Sequence, residues 1–207
     1  MRNGLELGNY QQVRDVHTRL GIVGGTPLLL FIARLIPTKG LRDTLEAFRQ
    51  ISGSIEADLV VIGEGPERQP SEQLCEEWGI SPRVHFLGQL TEGQARDYYC
   101  GCDILVFPTF HAEGFPMAIF QAVASGMAII TTRIRAAEDH LKGEENALFV
   151  PAHEPHEVAG ALRRLLTEPA LTERMRQSNR QLARRFDRRR VAEHFSAIYV
   201  ATTIGHE

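Results

Sequence analysis

Short apolar runs alternate along this chain with longer stretches in which apolar residues return every three or four positions. Six of the runs read as strands: Pro27 to Ala33, Leu59 to Ile62, Val84 to Leu87, Ile104 to Phe107, Ala128 to Thr132 and Ala147 to Val150. Between them the period is helical. Leu41, Leu45, Phe48 and Ile51 share one face after Gly40, which packs such a helix on a sheet. Ser71 to Trp78 reads as a helix closed by Gly79. Thr91-Glu92-Gly93-Gln94 has the form of a capping box and opens the helix through Tyr98 and Tyr99. Pro116 suits the first turn of the next helix, which ends near Gly126. Pro155 opens another, carried by Val158, Leu162, Leu165 and Leu166. Leu171 to Thr203 is helical in pattern, with a break at Phe186-Asp187 where Asp187 can cap a new start. Strands interleaved with helices predict an α/β fold, one doubly wound parallel sheet of about six strands with flanking and C-terminal helices. The expected organisation is a polar linker and leading element over residues 1–25, one domain over 26–186, and a C-terminal helix over 187–207. Met1 to Tyr10 itself reads as linker rather than as a folded start.

Composition narrows the class. The chain has 207 residues, enough for one good core. A formal net charge of -3 gives no basic field for nucleic acid. Cys75, Cys100 and Cys102 make no disulfide framework and read as reduced thiols of a cytoplasmic protein. The Cys-Gly-Cys spacing does not fit the usual zinc or redox pairs. Neither a membrane span nor a signal peptide is legible.

Two clusters carry the candidate chemistry. Arg34 and Lys39 lie in Ala33-Arg34-Leu35-Ile36-Pro37-Thr38-Lys39-Gly40, directly after the first strand. His111-Ala112-Glu113-Gly114-Phe115-Pro116 follows the fourth strand and leads into the helix that carries Gln121. Ligands of doubly wound sheets lie outside the carboxyl ends of the strands. Cations fixed there stabilise the charge that develops on a departing diphosphate without reorganisation. Arginine offers a planar fork to phosphate oxygens, lysine a mobile point charge. The plain alternative is an exposed arginine and a lysine on a solvated helix start. A cation at a helix N-terminus costs about 0.3–1 kcal/mol when exposed, which favours the anion-binding reading. Backbone N–H groups of Gly114, Phe115 and Met117 would cradle an anion. Glu113 cannot bind phosphate; it would accept hydrogen bonds from sugar hydroxyls.

Other features say less. Gly63-Glu64-Gly65-Pro66 is a glycine-rich turn after a strand, but the dinucleotide fingerprint would need glycine where Arg68 stands and a helix starting closer. No P-loop and no Asp-x-Asp pair occurs, so no metal-chelating transferase site is expected. His111 could touch a ligand or simply be solvated. The run Arg184 to Arg190 reads as a solvated helix junction, with peripheral membrane association left open.

The segments A-R-L-I-P-T-K-G, V-V-I-G-E-G-P, V-H-F-L-G, D-I-L-V-F-P-T, E-G-F-P-M-A-I-F-Q-A-V-A-S-G-M-A-I-I-T-T and N-A-L-F-V-P, in this order, resemble the C-terminal domain of the GT-B glycosyltransferases called group 1 or family 4. The match runs from about Asn3 to about Tyr199. The resemblance implies a Rossmann-like domain, one half of a GT-B fold, that binds a nucleotide-sugar donor in a retaining, metal-independent transferase. It implies that Arg34 and Lys39 bind the donor diphosphate and that Glu113 contacts the donor sugar. Gln121 stands where the family's second acid binds the ribose hydroxyls. Gly63, Glu64 and Gly65 match the loop near the nucleotide; Leu87 and Gly88 match the segment that meets the base through its backbone. No cofactor is implied, and the donor would be a UDP- or GDP-sugar.

Two departures stand out. An amide at 121 lacks the charge of a carboxylate, a loss on the order of 1 kcal/mol of ribose binding. Arg135-Ala136-Ala137-Glu138 stands near the place of the small glycine pair that the family carries after its fifth strand for backbone contacts to phosphate. Met1 to Leu5 resembles the interdomain linker, which implies that the N-terminal acceptor domain is missing and that this half is inactive alone. An epimerase or phosphorylase of related fold, and a non-catalytic nucleotide-binding module, are the alternatives. A nicotinamide dehydrogenase is disfavoured.

Overall fold

A computed structural model describes residues 6–10, 14–111 and 116–186. The six strands are β1 (Leu28–Ile32), β2 (Asp58–Ile62), β3 (Val84–Phe86), β4 (Ile104–Phe107), β5 (Ala128–Thr132) and β6 (Leu148–Val150). They form one sheet in the order β3-β2-β1-β4-β5-β6, every pair parallel. Leu29 pairs with Leu59 on one side and Ile104 on the other, which fixes the register at the centre. Both outermost strands, β3 and β6, are three residues long.

Each strand is followed by helix, and the two faces of the sheet are covered separately. Helices α2 (Leu41–Ser52), α3 (Arg68–Glu77) and α7 (Pro155–Thr167) close one core with Leu45, Phe48, Cys75 and Leu162 fully inside. Helices α4 (Glu92–Gly101), α5 (Met117–Ser125) and the single turn α6 (Arg135–Glu138) close the other with Tyr99, Phe120, Val123 and Ala137. The crossovers therefore change face between β1 and β4, a topological switch point of the kind that opens a crevice at the strand ends. The capping box at α4 is present: Thr91 accepts from the Gln94 N–H and Gln94 from the Thr91 N–H at 3.0 Å.

Several boundaries differ from expectation for identifiable reasons. Helix α3 begins at Arg68, before Pro70, because a proline within the first turn removes an N–H that has no partner there. The leading residues are also more than linker. Leu7–Tyr10 forms a 3-10 turn and α1 (Val16–Leu20) follows, with Leu7, Tyr10 and Val16 buried in the core beneath α4 and α5. Among the described residues of 6–20 only these three are buried, too few to set up a periodic signal. The expected C-terminal helix at 187–207, the Asp187 cap and the linker match at Met1 to Leu5 lie outside the described residues. No helix among the described residues is long and apolar enough to cross a membrane.

Helix α8 (Pro169–Ala183) passes from one core to the other: Leu171 and Met175 belong to the first, Ala183 to the second. At the crossing lies fully buried Asn179. Its Nδ2 donates to the carbonyls of Met127 at 2.8 Å and Asn146 at 2.9 Å, while its Oδ1 accepts from Asn146 Nδ2 at 3.1 Å. Asn179→Leu leaves two buried carbonyls unsatisfied and is expected to lower stability by roughly 2–4 kcal/mol. Urea unfolding with an unchanged denaturant slope checks this; a midpoint within error of the parent would contradict it.

The thiols follow burial. Cys75 is 1% exposed, and burial pushes its pKa up to about 12. Burial also holds the Cys102 thiol well above its ordinary value, whereas Cys100 is only half-buried. Alkylation of the native chain at pH 8 is expected to label Cys100 first, with Cys75 and Cys102 reacting only on unfolding. Peptide mass mapping of a time course reads the order directly.

Candidate functional site

The chain leaving β1 is anchored at alternate residues. Ala33 N–H donates to the Ile62 carbonyl at 3.1 Å and Leu35 N–H to the Glu64 carbonyl at 2.9 Å. Leu35 is fully buried, so Arg34 between them faces outward and is exposed. Pro37–Lys39 then makes a 3-10 turn, with proline at its start and Lys39 half-buried at its end. Gly40 follows at φ 78 as the N-cap of α2, a left-handed position that glycine takes without a Cβ penalty. A Cβ there would also meet the Pro108 backbone.

The exit of β4 is tied to this turn from the other side of the switch. The Thr38 carbonyl accepts from Phe110 N–H at 3.0 Å and from the Thr109 hydroxyl at 3.1 Å. The Thr132 hydroxyl donates to the Thr109 carbonyl, so β5 holds the same loop. The Phe110 ring packs against that of His153, tilted by 48° with centroids 4.0 Å apart, and His153 has a φ of 60. His111 N–H donates to the Thr109 hydroxyl at 3.2 Å and its side chain is exposed. Residues 112–115 fall outside the described residues, and with them Glu113, Gly114 and Phe115. The chain resumes at Pro116, which caps α5. Met117 is 39% exposed at the first turn, and Gln121 is half-buried on the same face one turn on.

The loops after β2 and β3 complete the rim. Gly63 N–H donates to the Gly88 carbonyl at 2.9 Å and Leu87 N–H to the Val61 carbonyl at 2.9 Å. Gly63 (φ 135) and Gly65 (φ 156) serve a close approach of backbones. A Cβ on Gly63 would lie 2.9 Å from the Ala33 carbonyl carbon, and one on Gly65 2.7 Å from that of Leu35. Gly88 (φ 70) lies beneath an ion pair, where a Cβ would stand 2.9 Å from Glu64 Oε1 and 3.1 Å from Arg68 Nη1. Glu64, expected beside a nucleotide, is thus already bonded to Arg68, which also holds Glu72 at 3.0 Å.

The structure therefore brings Arg34, Lys39, Gly63, Glu64, Gly65, Leu87, Gly88, His111 and Met117 to one edge of the sheet, the carboxyl ends of β1 to β4. Gln121 meets an unexpected partner: its Nε2 donates to the Tyr10 hydroxyl at 3.1 Å. Burial raises the Tyr10 pKa, so the group is a neutral hydroxyl at physiological pH. Sequence reasoning missed Tyr10, Thr38, Thr109 and Arg68. Tyr10, Thr38 and Thr109 act through partners distant in sequence, which leave no local pattern, whereas Arg68 pairs with Glu64 and Glu72 at a spacing of four that the sequence does display. A ~470 Å³ hollow beside the rim, lined by Thr109, Phe110, Thr132, Arg133 and Phe149, continues the strand-end surface toward β6.

A parallel, doubly wound sheet with a switch point between β1 and β4 defines a Rossmann-like α/β domain, whose ligands lie outside the carboxyl ends of the strands. The chain matches the family model for glycosyl transferases group 1 over residues 13–182, and it belongs to that family. It is 28% identical over 202 residues to the D-inositol 3-phosphate glycosyltransferase of Corynebacterium glutamicum, covering 93% of this chain and 47% of that protein. The C-terminal domain of LpcC, a group 1 family protein from Francisella tularensis, superposes with a TM-score of 0.76 at 24% identity, covering 86% of this chain and 96% of that one. HepE of Anabaena, in complex with UDP-glucose, gives 0.82 at 20% identity over 94% of this chain and 56% of its own. The chain spans about half the length of the curated relatives it matches. The fold is that of one half of a GT-B glycosyltransferase.

Proposed function

We propose that this chain is the donor-binding part of a glycosyltransferase that moves a sugar from a nucleoside diphosphate to an acceptor, with retained configuration and without a metal ion. The observation that carries the reading is the shared rim: Arg34 and Lys39 leave β1 on a turn tied by hydrogen bonds to the exit of β4, across the switch point.

In this reading the diphosphate lies at the crevice between β1 and β4. As the glycosidic bond breaks, negative charge gathers on the departing phosphate. Arg34 and Lys39 meet that charge with donors already in place, so little reorganisation opposes the step. Glu113 accepts hydrogen bonds from the sugar and fixes its orientation. The base lies along Leu87 and Gly88 and is met through the backbone, with Gly63, Glu64 and Gly65 alongside. Gln121 accepts from a ribose hydroxyl, and Gly114, Phe115 and Met117 offer N–H groups to the phosphates at the start of α5. His111 borders the sugar. The acceptor is held by a second domain, and closure of the two excludes water from the reacting centre.

Calorimetric titration of the chain with UDP, GDP, ADP and inorganic pyrophosphate tests the reading. Binding of UDP or GDP in the micromolar to millimolar range, tighter than pyrophosphate, is the expected result. An intact fold with no nucleotide binding up to millimolar concentration would make this a non-catalytic module.

A further inference from the structure

Gln121 and Tyr10 meet across 111 residues of sequence. The partly exposed stripe of α5 is formed by Met117, Ala118, Gln121 and Ser125, and every other residue of the helix is buried. This stripe runs down from the strand-end rim, so Gln121 lies directly below the first turn of the helix. A primary amide has two different ends, one donating and one accepting; a tyrosine hydroxyl can hold either, so the end that it holds in the structure determines the end that is offered. Here Nε2 is held by the Tyr10 hydroxyl at 3.1 Å. The carbonyl Oε1 makes no hydrogen bond among the described residues.

Tyr10 is well placed to hold a neighbour still. It is 5% exposed, packed in the core with Leu7, Val16 and Tyr99. The Arg96 guanidinium lies 5.6 Å over its ring. A tyrosine side chain has few rotatable bonds, so a bond to it restricts the glutamine at low entropic cost. A carboxylate at 121 would accept at either oxygen and need no such restraint. An amide accepts at one end only, and rotation by half a turn would present donors instead.

We propose that Tyr10 is a positioning residue that holds the Gln121 amide with its carbonyl oxygen toward the crevice, as the acceptor for a ribose hydroxyl of the donor nucleotide. The inference rests on the donor-binding reading above. It assigns part of the nucleotide site to the segment that precedes α1.

The test compares UDP with 2′-deoxy-UDP and 3′-deoxy-UDP by calorimetry. The unsubstituted chain is expected to prefer UDP over at least one deoxy analogue by roughly three- to tenfold, the scale of one hydrogen bond. Tyr10→Phe, which removes one oxygen and keeps the ring, is expected to bring that ratio close to one. Its affinity for inorganic pyrophosphate, which has no ribose, stays as it was. Gln121→Glu is expected to keep the ribose preference whether residue 10 is tyrosine or phenylalanine, because either carboxylate oxygen accepts. A preserved ratio in Tyr10→Phe overturns the inference while leaving donor binding intact. Loss of the preference in both Gln121→Glu chains overturns it as well. Absence of UDP binding by the unsubstituted chain would overturn both readings together.

Discussion

Arg34→Ala is expected to lower the affinity of the chain for UDP and GDP by about tenfold to a hundredfold, and Lys39→Ala to act in the same direction and range, as the proposed donor site requires. Hydrogen bonds to a charged group are worth about 1.5–3 kcal/mol, and each 1.4 kcal/mol is a factor of ten. Arg34 stands on a loop whose neighbours Ala33 and Leu35 are both pinned to the β2 side, so alanine removes the guanidinium without releasing the backbone. Lys39 ends a turn whose path is set by Pro37, Gly40 and the bonds at Thr38, none of which needs the lysine side chain. Arg34 is exposed, so salt screens part of its effect, and the difference between parent and variant shrinks as ionic strength rises. Arg34→Lys is expected to recover only part of the affinity, since a point charge cannot reproduce the planar fork of a guanidinium. Titrations at two salt concentrations read all of this. Unchanged nucleotide affinity in both alanine variants would remove the diphosphate from this loop.

Gly63→Ala is expected to cost about 3 kcal/mol or more, the upper range for a residue forced into a disfavoured backbone conformation. At φ 135 the new Cβ points at the Ala33 carbonyl, a backbone group that no rotamer can move aside. Relief requires the loops after β1 and β2 to part, which strains the bonds from Ala33 N–H to Ile62 and from Leu35 N–H to Glu64. For a chain of this size each kcal/mol lowers the melting temperature by roughly 2–4 °C, so a fall of about 6–12 °C is expected by scanning calorimetry. Gly53→Ala is the control. That glycine closes α2 at φ -78 with nothing within 4 Å of a Cβ, and the change should be neutral or slightly stabilising. Equal melting points for the two variants would refute the close-approach account of Gly63.

The fold was legible where burial writes itself into consecutive residues. Ile104–Phe107 and Ala128–Thr132 are wholly buried strands; an uninterrupted apolar run marks the first to the residue, and in the second the run ends in two β-branched threonines. Local chemistry also carried over: Thr91 and Gln94 meet because a capping box is a contact within one turn. What sequence hid was contact at a distance. The bond between Tyr10 and Gln121 and the knitting of Thr38 to Phe110 join residues that no local pattern relates. Gly63 and Gly65 were recognised as special, but glycine beside a ligand and glycine beside another loop look the same in a sequence. Only the positions of Ala33 and Leu35 distinguish them. The residues around 135 illustrate the converse. Without glycine the stretch closes into the single helical turn Arg135–Glu138, with Ala137 fully buried.

The brevity of β3 and β6 has a consequence for how this molecule behaves in concentrated solution. A long flat margin of unpaired amides invites another copy to extend the sheet, and amyloid-like stacking grows from such templates. Here each lateral border offers only three residues before the chain turns away. Self-association through strand addition is therefore disfavoured by geometry, without any need for guarding charges.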